Sequence, residues 1–143
     1  VYALSLMRSF MDSQPYVKFT PTGADEQETI MLANRQSQMA TITMSLHSKL
    51  PKRAVISCEY GYIEIMEYPR ADRAWIVEAE SGKRYELAAG ETAKALQYEM
   101  EDMELAVRTK DQSIMRLEDT CDVMEIMTNL RKEWDMKYPG EEW

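Results

Sequence analysis

The chain holds a single histidine, His47, and only two cysteines, Cys58 and Cys121, far apart among its 143 residues. So few imidazole and thiolate donors exclude a His- or Cys-rich metal cluster, and neither cysteine belongs to a C-x-x-C pair. Both are expected to be reduced, partly buried thiols. Glycine is also scarce. Gly23, Gly61, Gly82, Gly90 and Gly140 are the full set, and no two lie closer than eight residues. Neither G-x-G-x-x-G nor a P-loop can be written with that spacing, so the chain carries no nucleotide-phosphate cradle of those kinds. No run approaches the roughly 18 consecutive apolar residues of a membrane helix. Positive charge is in deficit, with 17 Lys and Arg against 25 Asp and Glu and a net charge of −8. Such a surface repels phosphate backbones and anionic lipid, which argues against nucleic acid and membrane as partners. No signal-peptide pattern is present, and a cytoplasmic location is expected. The start at Val1, directly in an apolar pattern, reads as a fragment or a processed product.

What is present is an ordinary globular balance, 45% hydrophobic and 29% charged. The length fits a single domain over 1–143. Ala3, Leu6, Met7 and Phe10 recur every three to four residues and predict a short helix over Tyr2–Met11, ended before Pro15. A strand is expected at Tyr16–Thr20, a polar loop at Pro21–Glu26 and an apolar run at Thr29–Ala33 turned by Asn34, Arg35 and Gln36. The clearest strand follows: Ala40, Ile42, Met44 and Leu46 alternate with Thr41, Thr43, Ser45 and His47. Arg53–Glu59, Tyr62–Tyr68, Arg73–Glu80 and Arg84–Ala88 continue the β pattern, the last two joined across Ser81, Gly82 and Lys83.

The period changes after Gly90. Leu96, Met100, Met103 and Val107 make one apolar stripe over Thr92–Thr109. Ile114, Leu117, Cys121, Met124, Met127, Leu130 and Trp134 make a second stripe, with Asp111 or Ser113 as candidate cap. A helix, then six or seven strands, then two helices predict an α+β fold: a largely antiparallel, open-faced sheet with helices packed on one face.

Candidate chemistry is sparse. His47, on the polar side of its strand, reads as a solvent-facing or interface residue rather than a general base. Glu99, Glu101, Asp102 and Glu104 read as the solvated side of a helix, and Met100, Met103, Met124 and Met127 as packing residues. The polar face of Thr41, Thr43, Ser45 and His47 is the more informative feature. A sheet covered on one side leaves the other to be solvated, to bind a ligand or to pair with a second copy. Tyr62, Tyr68 and Trp75 add aromatic area in neighbouring strands, and a homo-oligomer formed through that open face is expected.

One stretch, Arg53-Ala54-Val55-Ile56-Ser57-Cys58-Glu59-Tyr60-Gly61-Tyr62-Ile63-Glu64-Ile65, resembles a strand pair of the Gfo/Idh/MocA oxidoreductases, usually a-x-I-x-G-x-x-G-x-I-x-I, with Cys58 at a position where glycine is common. Tyr98-Glu99-Met100-Glu101-Asp102-Met103 with Ala106-Val107-Arg108 resembles that family's penultimate helix, Met103 replacing an aromatic residue. Met115 through Met127 to Trp134, with Tyr138-Pro139, resembles its final helix.

The resemblance covers nearly the whole chain and implies a C-terminal, substrate-side domain. The family's N-terminal Rossmann domain, with its glycine-rich turn and Glu-Lys-Pro motif, is absent from the sequence. NAD or NADP is therefore expected only in a full-length parent, no cofactor and no metal are expected in this chain, and the chain alone is expected to be inactive. The opening Val1-Tyr2-Ala3-Leu4 resembles the end of an Asp-x-Gly-x-Tyr cluster in the dihydrodiol-dehydrogenase and glucose-fructose-oxidoreductase branches. That match makes Tyr2 the candidate catalytic residue, a phenol able to hydrogen-bond or protonate a substrate oxygen during hydride transfer. The resemblance implies a sugar, polyol or diol as substrate, and a sheet that both walls the substrate pocket and builds oligomers. The residues leave one alternative open: a stand-alone α+β dimeric binding or scaffold module without catalysis.

Overall fold

The computed structural model describes residues 1–20, 26–114 and 116–141. The fold is α+β, with antiparallel sheets throughout. Two compact units form: Val1–Leu50 with Arg116–Trp143, and Pro51–Met115. Among the described residues the strands divide between two sheets, one of three and one of four strands, where the sequence pattern suggested one.

In the first unit, helix α1 (Tyr2–Arg8) precedes strands β1 (Tyr16–Phe19), β2 (Gln27–Ala33) and β3 (Met39–Ser45). The strands lie in the order β1-β2-β3. Register pairs Ile30 with Ile42 and Thr29 with Thr43, so the period-two alternation sends Ile30, Leu32 and Ile42 to one face and the threonines to the other. The apolar face is covered by α1 and by the C-terminal helix, Leu117–Glu133. Leu4, Val123, Ile126 and Leu130 close over it, with Ala3, Met7, Val17, Met44, Met127 and Trp134 around the margin. Each such side chain, fully buried, contributes about 1.5–3 kcal/mol. The C-terminal helix suits its place: Glu118 and Asp119 sit in its first turn and Arg131 and Lys132 in its last, each opposing the nearer end of the helix dipole. It begins at Leu117 with Arg116 as N-cap, so neither Asp111 nor Ser113 caps it. The opening helix ends at Arg8, three residues before the expected Met11. The expected loop at Pro21–Glu26 falls, but for Glu26, outside the described residues.

The tight turn from β2 to β3 is built by Asn34, buried at the strand end. Its Oδ1 accepts from the Gln36 and Gln38 amides (3.1 and 2.9 Å), and its Nδ2 donates to Gln38 Oε1 (2.6 Å). Those local bonds satisfy a polar side chain that would otherwise be costly to bury.

The second unit is a meander of β4 (Arg53–Cys58), β5 (Gly61–Met66), β6 (Arg73–Glu78) and β7 (Arg84–Ala88). A 3-10 turn at Thr92–Lys94 then leads into α2 (Ala95–Thr109); the C-terminal helix above is α3. Gly61 sits where the backbone of β6 passes close by. A Cβ there would lie 2.0 Å from the Val77 carbonyl oxygen, so only glycine fits.

Two sequence expectations are corrected in this unit and in α3. The α2 stripe does not pack: Leu96, Met100, Met103 and Val107 are 64, 69, 47 and 72% exposed. Met124 of α3 is exposed too, and both cysteines are exposed rather than partly buried. A helical period marks which side of a helix is apolar; whether a partner surface covers that side is a tertiary matter. Among the described residues of 51–115, none is fully buried.

Candidate functional site

The expected site residues lie on opposite sides of the three-stranded sheet. Tyr2 is the first residue of α1, in the helical layer, and is 69% exposed. Its neighbours Ala3 and Leu4 turn into the core while its phenol faces outward. Thr41 and Thr43 are exposed on the far face of the same sheet, where Thr43 Oγ1 lies 3.2 Å from Thr29 Oγ1 across the β2–β3 pair. The sheet stands between the tyrosine and the threonines, so the two groups do not form one pocket within this unit.

Ser45 and His47 have local partners. Ser45 Oγ accepts from the His47 amide (3.1 Å), the Ser48 amide (2.9 Å) and the Ser48 hydroxyl (3.0 Å). This serine turn ends β3 at Ser45, because it offers the backbone a bend in place of the next ladder bonds. His47 therefore lies past the strand rather than on its polar face, a correction to the sequence reading. Its Nε2 contacts Glu26 Oε2 at 2.5 Å on the exposed surface. Such a pair holds the strand end and offers nothing to an enclosed substrate. The uncommitted part of the expected face reduces to Thr41 and the Thr29–Thr43 pair.

The sequence reading missed the buried charge of this unit. Arg8, at the end of α1, is 6% exposed. Its Nε donates to Asp122 Oδ2 at 2.6 Å and its Nη1 to the Met11 carbonyl at 2.9 Å. Its Nη2 sits 3.1 Å from Asp119 Oδ1, off the hydrogen-bonding direction, while Arg116 Nε approaches Asp119 Oδ2 at 3.4 Å. One guanidinium thus ties α1 to two consecutive turns of α3. The signal in the sequence was the placement of Arg8 four residues after Leu4, on the side of the helix that faces the core.

A shallow cleft of about 180 Å³ opens between the start of β1 and α3, with Gln14, Tyr16, Arg35, Glu125 and Asn129 among its walls. Gln14 Nε2 donates to Glu125 Oε2 at 2.7 Å. Ligand pockets are commonly about 300–1,000 Å³, so this one is small, and no expected site residue lines it.

The four-stranded sheet has two unlike faces. One bears an ion-pair ladder: Arg53 and Arg84 approach Glu64 at 3.9 and 2.9 Å, Arg73 meets Glu86 at 3.1 Å, and the Arg84 guanidinium stacks 4.6 Å from the Trp75 ring. Tyr62 and Trp75 stand in this ladder face, whereas Tyr68 lies past the end of β5. The other face is apolar. Register aligns Ile56, Ile63, Ile76 and Tyr85 in one row and Ala54, Ile65, Ala74 and Leu87 in the next. Ile76, Tyr85 and Leu87 remain exposed. At its rim Tyr85 donates to Glu78 at 3.1 Å, a bond that raises the tyrosine pKa by stabilising the protonated phenol beside a carboxylate.

Among the described residues there is no group of three His, Cys, Asp or Glu side chains placed to hold a metal ion, and no helix is long and apolar enough to cross a membrane. No protein-family model and no curated protein matches the sequence.

Proposed function

We propose that this chain is the substrate-side and oligomerisation domain of an NAD(P)-dependent oxidoreductase of the Gfo/Idh/MocA type, acting on a sugar, polyol or diol. The observation that carries the reading is the agreement between the resemblance and the local structure. The stretch Arg53–Ile65 folds as the strand pair β4–β5, and its single glycine, Gly61, stands where any side chain would strike the Val77 carbonyl. The stretch resembling the final helix folds as α3. In this reading the nicotinamide cofactor belongs to a separate nucleotide-binding domain and supplies the hydride chemistry.

What this chain brings is Tyr2, whose exposed phenol is free to meet a substrate oxygen held at the face of α1, and a rigid sheet behind that helix. The buried Arg8–Asp122 bond fixes α1 on α3, so it positions Tyr2 without touching substrate. Copies associate through the sheet. The separation of Tyr2 from Thr41 and Thr43 divides the labour: the helical side serves substrate and the strand side serves assembly.

A specific observation also favours the second reading, a stand-alone dimeric module: the stripe of α2 is exposed, as are Ile76, Tyr85 and Leu87 on the apolar face of β4–β7. The two readings part on redox activity. A full-length parent should reduce NAD or NADP with at least one member of a sugar, polyol and diol panel. Tyr2→Phe should lower kcat there by about 10²-fold or more, the scale of a positioned proton donor. An unchanged kcat removes Tyr2 from the chemistry, and a parent inert toward the panel favours the module.

A further inference from the structure

We infer that β3 is the edge through which two copies of this chain join: the two β3 strands pair antiparallel about a two-fold axis at Ile42, with Thr41 of each copy opposite Thr43 of the other, and the two three-stranded sheets become one sheet of six. This rests on the reading above that copies associate through this sheet, and not on its redox part.

Among the described residues the two sheets present four edge strands, β1, β3, β4 and β7. A free edge is a template for further pairing, and proteins blunt their edges with charges, short strands and irregular register. β1 has four residues, Lys18 among them, and a register shift between Val17 and Phe19. β4 carries Arg53, and β7 carries Arg84 and Glu86. β3 is the longest of the four at seven residues, runs in unbroken register, and holds no charge and no proline.

The phase of its bonds fixes which groups are free. The Asn34 amide donates to the Gln38 carbonyl and the Leu46 amide to the Glu26 carbonyl, so the even-numbered residues of β3 bond to β2. The N–H and C=O groups of Met39, Thr41, Thr43 and Ser45 point outward, and no described residue bonds them. A second strand must set outward residues against outward residues, so odd numbers meet odd numbers. The same parity lays the core face of one copy beside the core face of the other. Centring on Ile42 pairs all seven residues, with two kinds of hydrogen-bonded pair, Met39–Ser45 and Thr41–Thr43, each formed twice. Sliding by two residues either way shortens the overlap.

The side chains agree with that register. On the outer face Thr43 meets Thr29 at 3.2 Å, and the pairing continues this row to Thr41 of the second copy. On the core face Ala40 meets Met44, small against large, and Ile42 meets Ile42. Charge suits the edge to a second copy. At −8, two copies repel across most of their surface, and β3 brings no charge to the contact. Glu28 lies one strand further in, in register with Met44. Arg35 lies past one end of β3, and Glu26, paired with His47, past the other. An antiparallel pair sets opposite ends together, so neither Arg35 faces Arg35 nor Glu26 faces Glu26.

Sedimentation and light scattering of the full chain from about 1 to 300 µM read the association. Thr41→Pro removes an outward amide and leaves the ladder to β2 intact. It should weaken dimerisation about tenfold or more, whereas a contact between sheet faces would survive it. Two double variants read the register. Thr41→Lys with Thr43→Lys opposes like charges twice, and Thr41→Lys with Thr43→Glu opposes unlike charges twice. The first should dimerise about tenfold more weakly than the second, or worse. Both threonines are exposed, so circular dichroism should be unchanged; should proline unfold the chain, the two charge variants carry the test. Amide exchange at Thr41 and Thr43 should slow as the dimer fills. A folded Thr41→Pro chain that dimerises like the parent, equal affinities for the two double variants, or amides that exchange alike in monomer and dimer overturn this edge while association stands. A monomer at every concentration overturns this inference and the association reading together.

Discussion

Replacing Arg8 with alanine should be among the most damaging single changes in the first unit. The guanidinium is nearly sealed from water, hydrogen-bonded to Asp122 at 2.6 Å and to the Met11 carbonyl at 2.9 Å, and ion-paired with Asp119 at 3.1 Å. The Asp119 and Asp122 side chains are only 23 and 17% exposed, so alanine leaves two carboxylates facing each other with little solvent to screen them. Arg116 touches Asp119 but not Asp122. Breaking a buried pair from one side costs about 3–5 kcal/mol, mostly the penalty on the abandoned charge. The partial exposure of the aspartates places the expected loss near the lower bound, about 3 kcal/mol. Replacing both sides tests the cause. The double variant Arg8→Met with Asp122→Leu replaces the pair with apolar side chains, removes the charge that Arg8 satisfied and should recover about half of the loss or more. Urea unfolding followed by Trp134 fluorescence reads both, since its indole donates to Thr20 at 3.0 Å within the same unit. A loss under about 1 kcal/mol for Arg8→Ala, or a double variant no better than the single one, would refute the reasoning.

Other outcomes follow from the same contacts. Leu32, fully buried, should cost about 2–5 kcal/mol on truncation to alanine, against less than about 0.5 kcal/mol for exposed Thr41→Ala, by the same urea assay. Gly61→Ala should shift or split the β5–β6 amide signals of the second unit and leave those of α3 in place, because the added carbon meets backbone rather than a side chain able to move. The Arg131 guanidinium and the Tyr138 amide both bond Glu141, which lowers its pKa below the usual carboxylate range. A depressed carboxyl pKa means that this contact stabilises the fold at neutral pH and is lost as pH falls through the folded-state value. Carboxyl ¹³C titration should show Glu141 protonating below the usual carboxylate range, and Arg131→Gln should abolish most of that shift.

Much of this fold was legible in the residues, for identifiable reasons. The alternation from Ala40 to His47 reports a half-covered sheet: Ile42 enters the core and Met44 its margin, whereas Leu46, past the strand end, is 82% exposed. Ser81-Gly82-Lys83 marks the β6–β7 hairpin because Gly82 adopts φ 65°, open to glycine at no steric cost. Of the α3 stripe, Met127, Leu130 and Trp134 pack on the core, but Ile114, Leu117, Cys121 and Met124 are exposed, and the buried Val123 and Ile126 lay outside the expected stripe. What pattern could not reveal is which apolar surfaces find partners. The α2 stripe has the same spacing as α3 and yet is exposed, because spacing encodes a side and not a neighbour. His47 continued the alternation by letter, but the Ser45 hydroxyl captured the backbone two residues earlier. Arg8 carried no reading from the sequence, because the aspartates of α3 that surround it lie more than a hundred residues away.

The central claim is that this chain is the substrate-side part of a larger oxidoreductase, and the coding DNA upstream of Val1 tests it most directly. The account predicts an in-frame nucleotide-binding domain with a G-x-G-x-x-G turn, a Glu-Lys-Pro segment and an aspartate four residues before Tyr2. A start codon at or immediately before Val1 would contradict it and leave the dimeric module as the description of this protein.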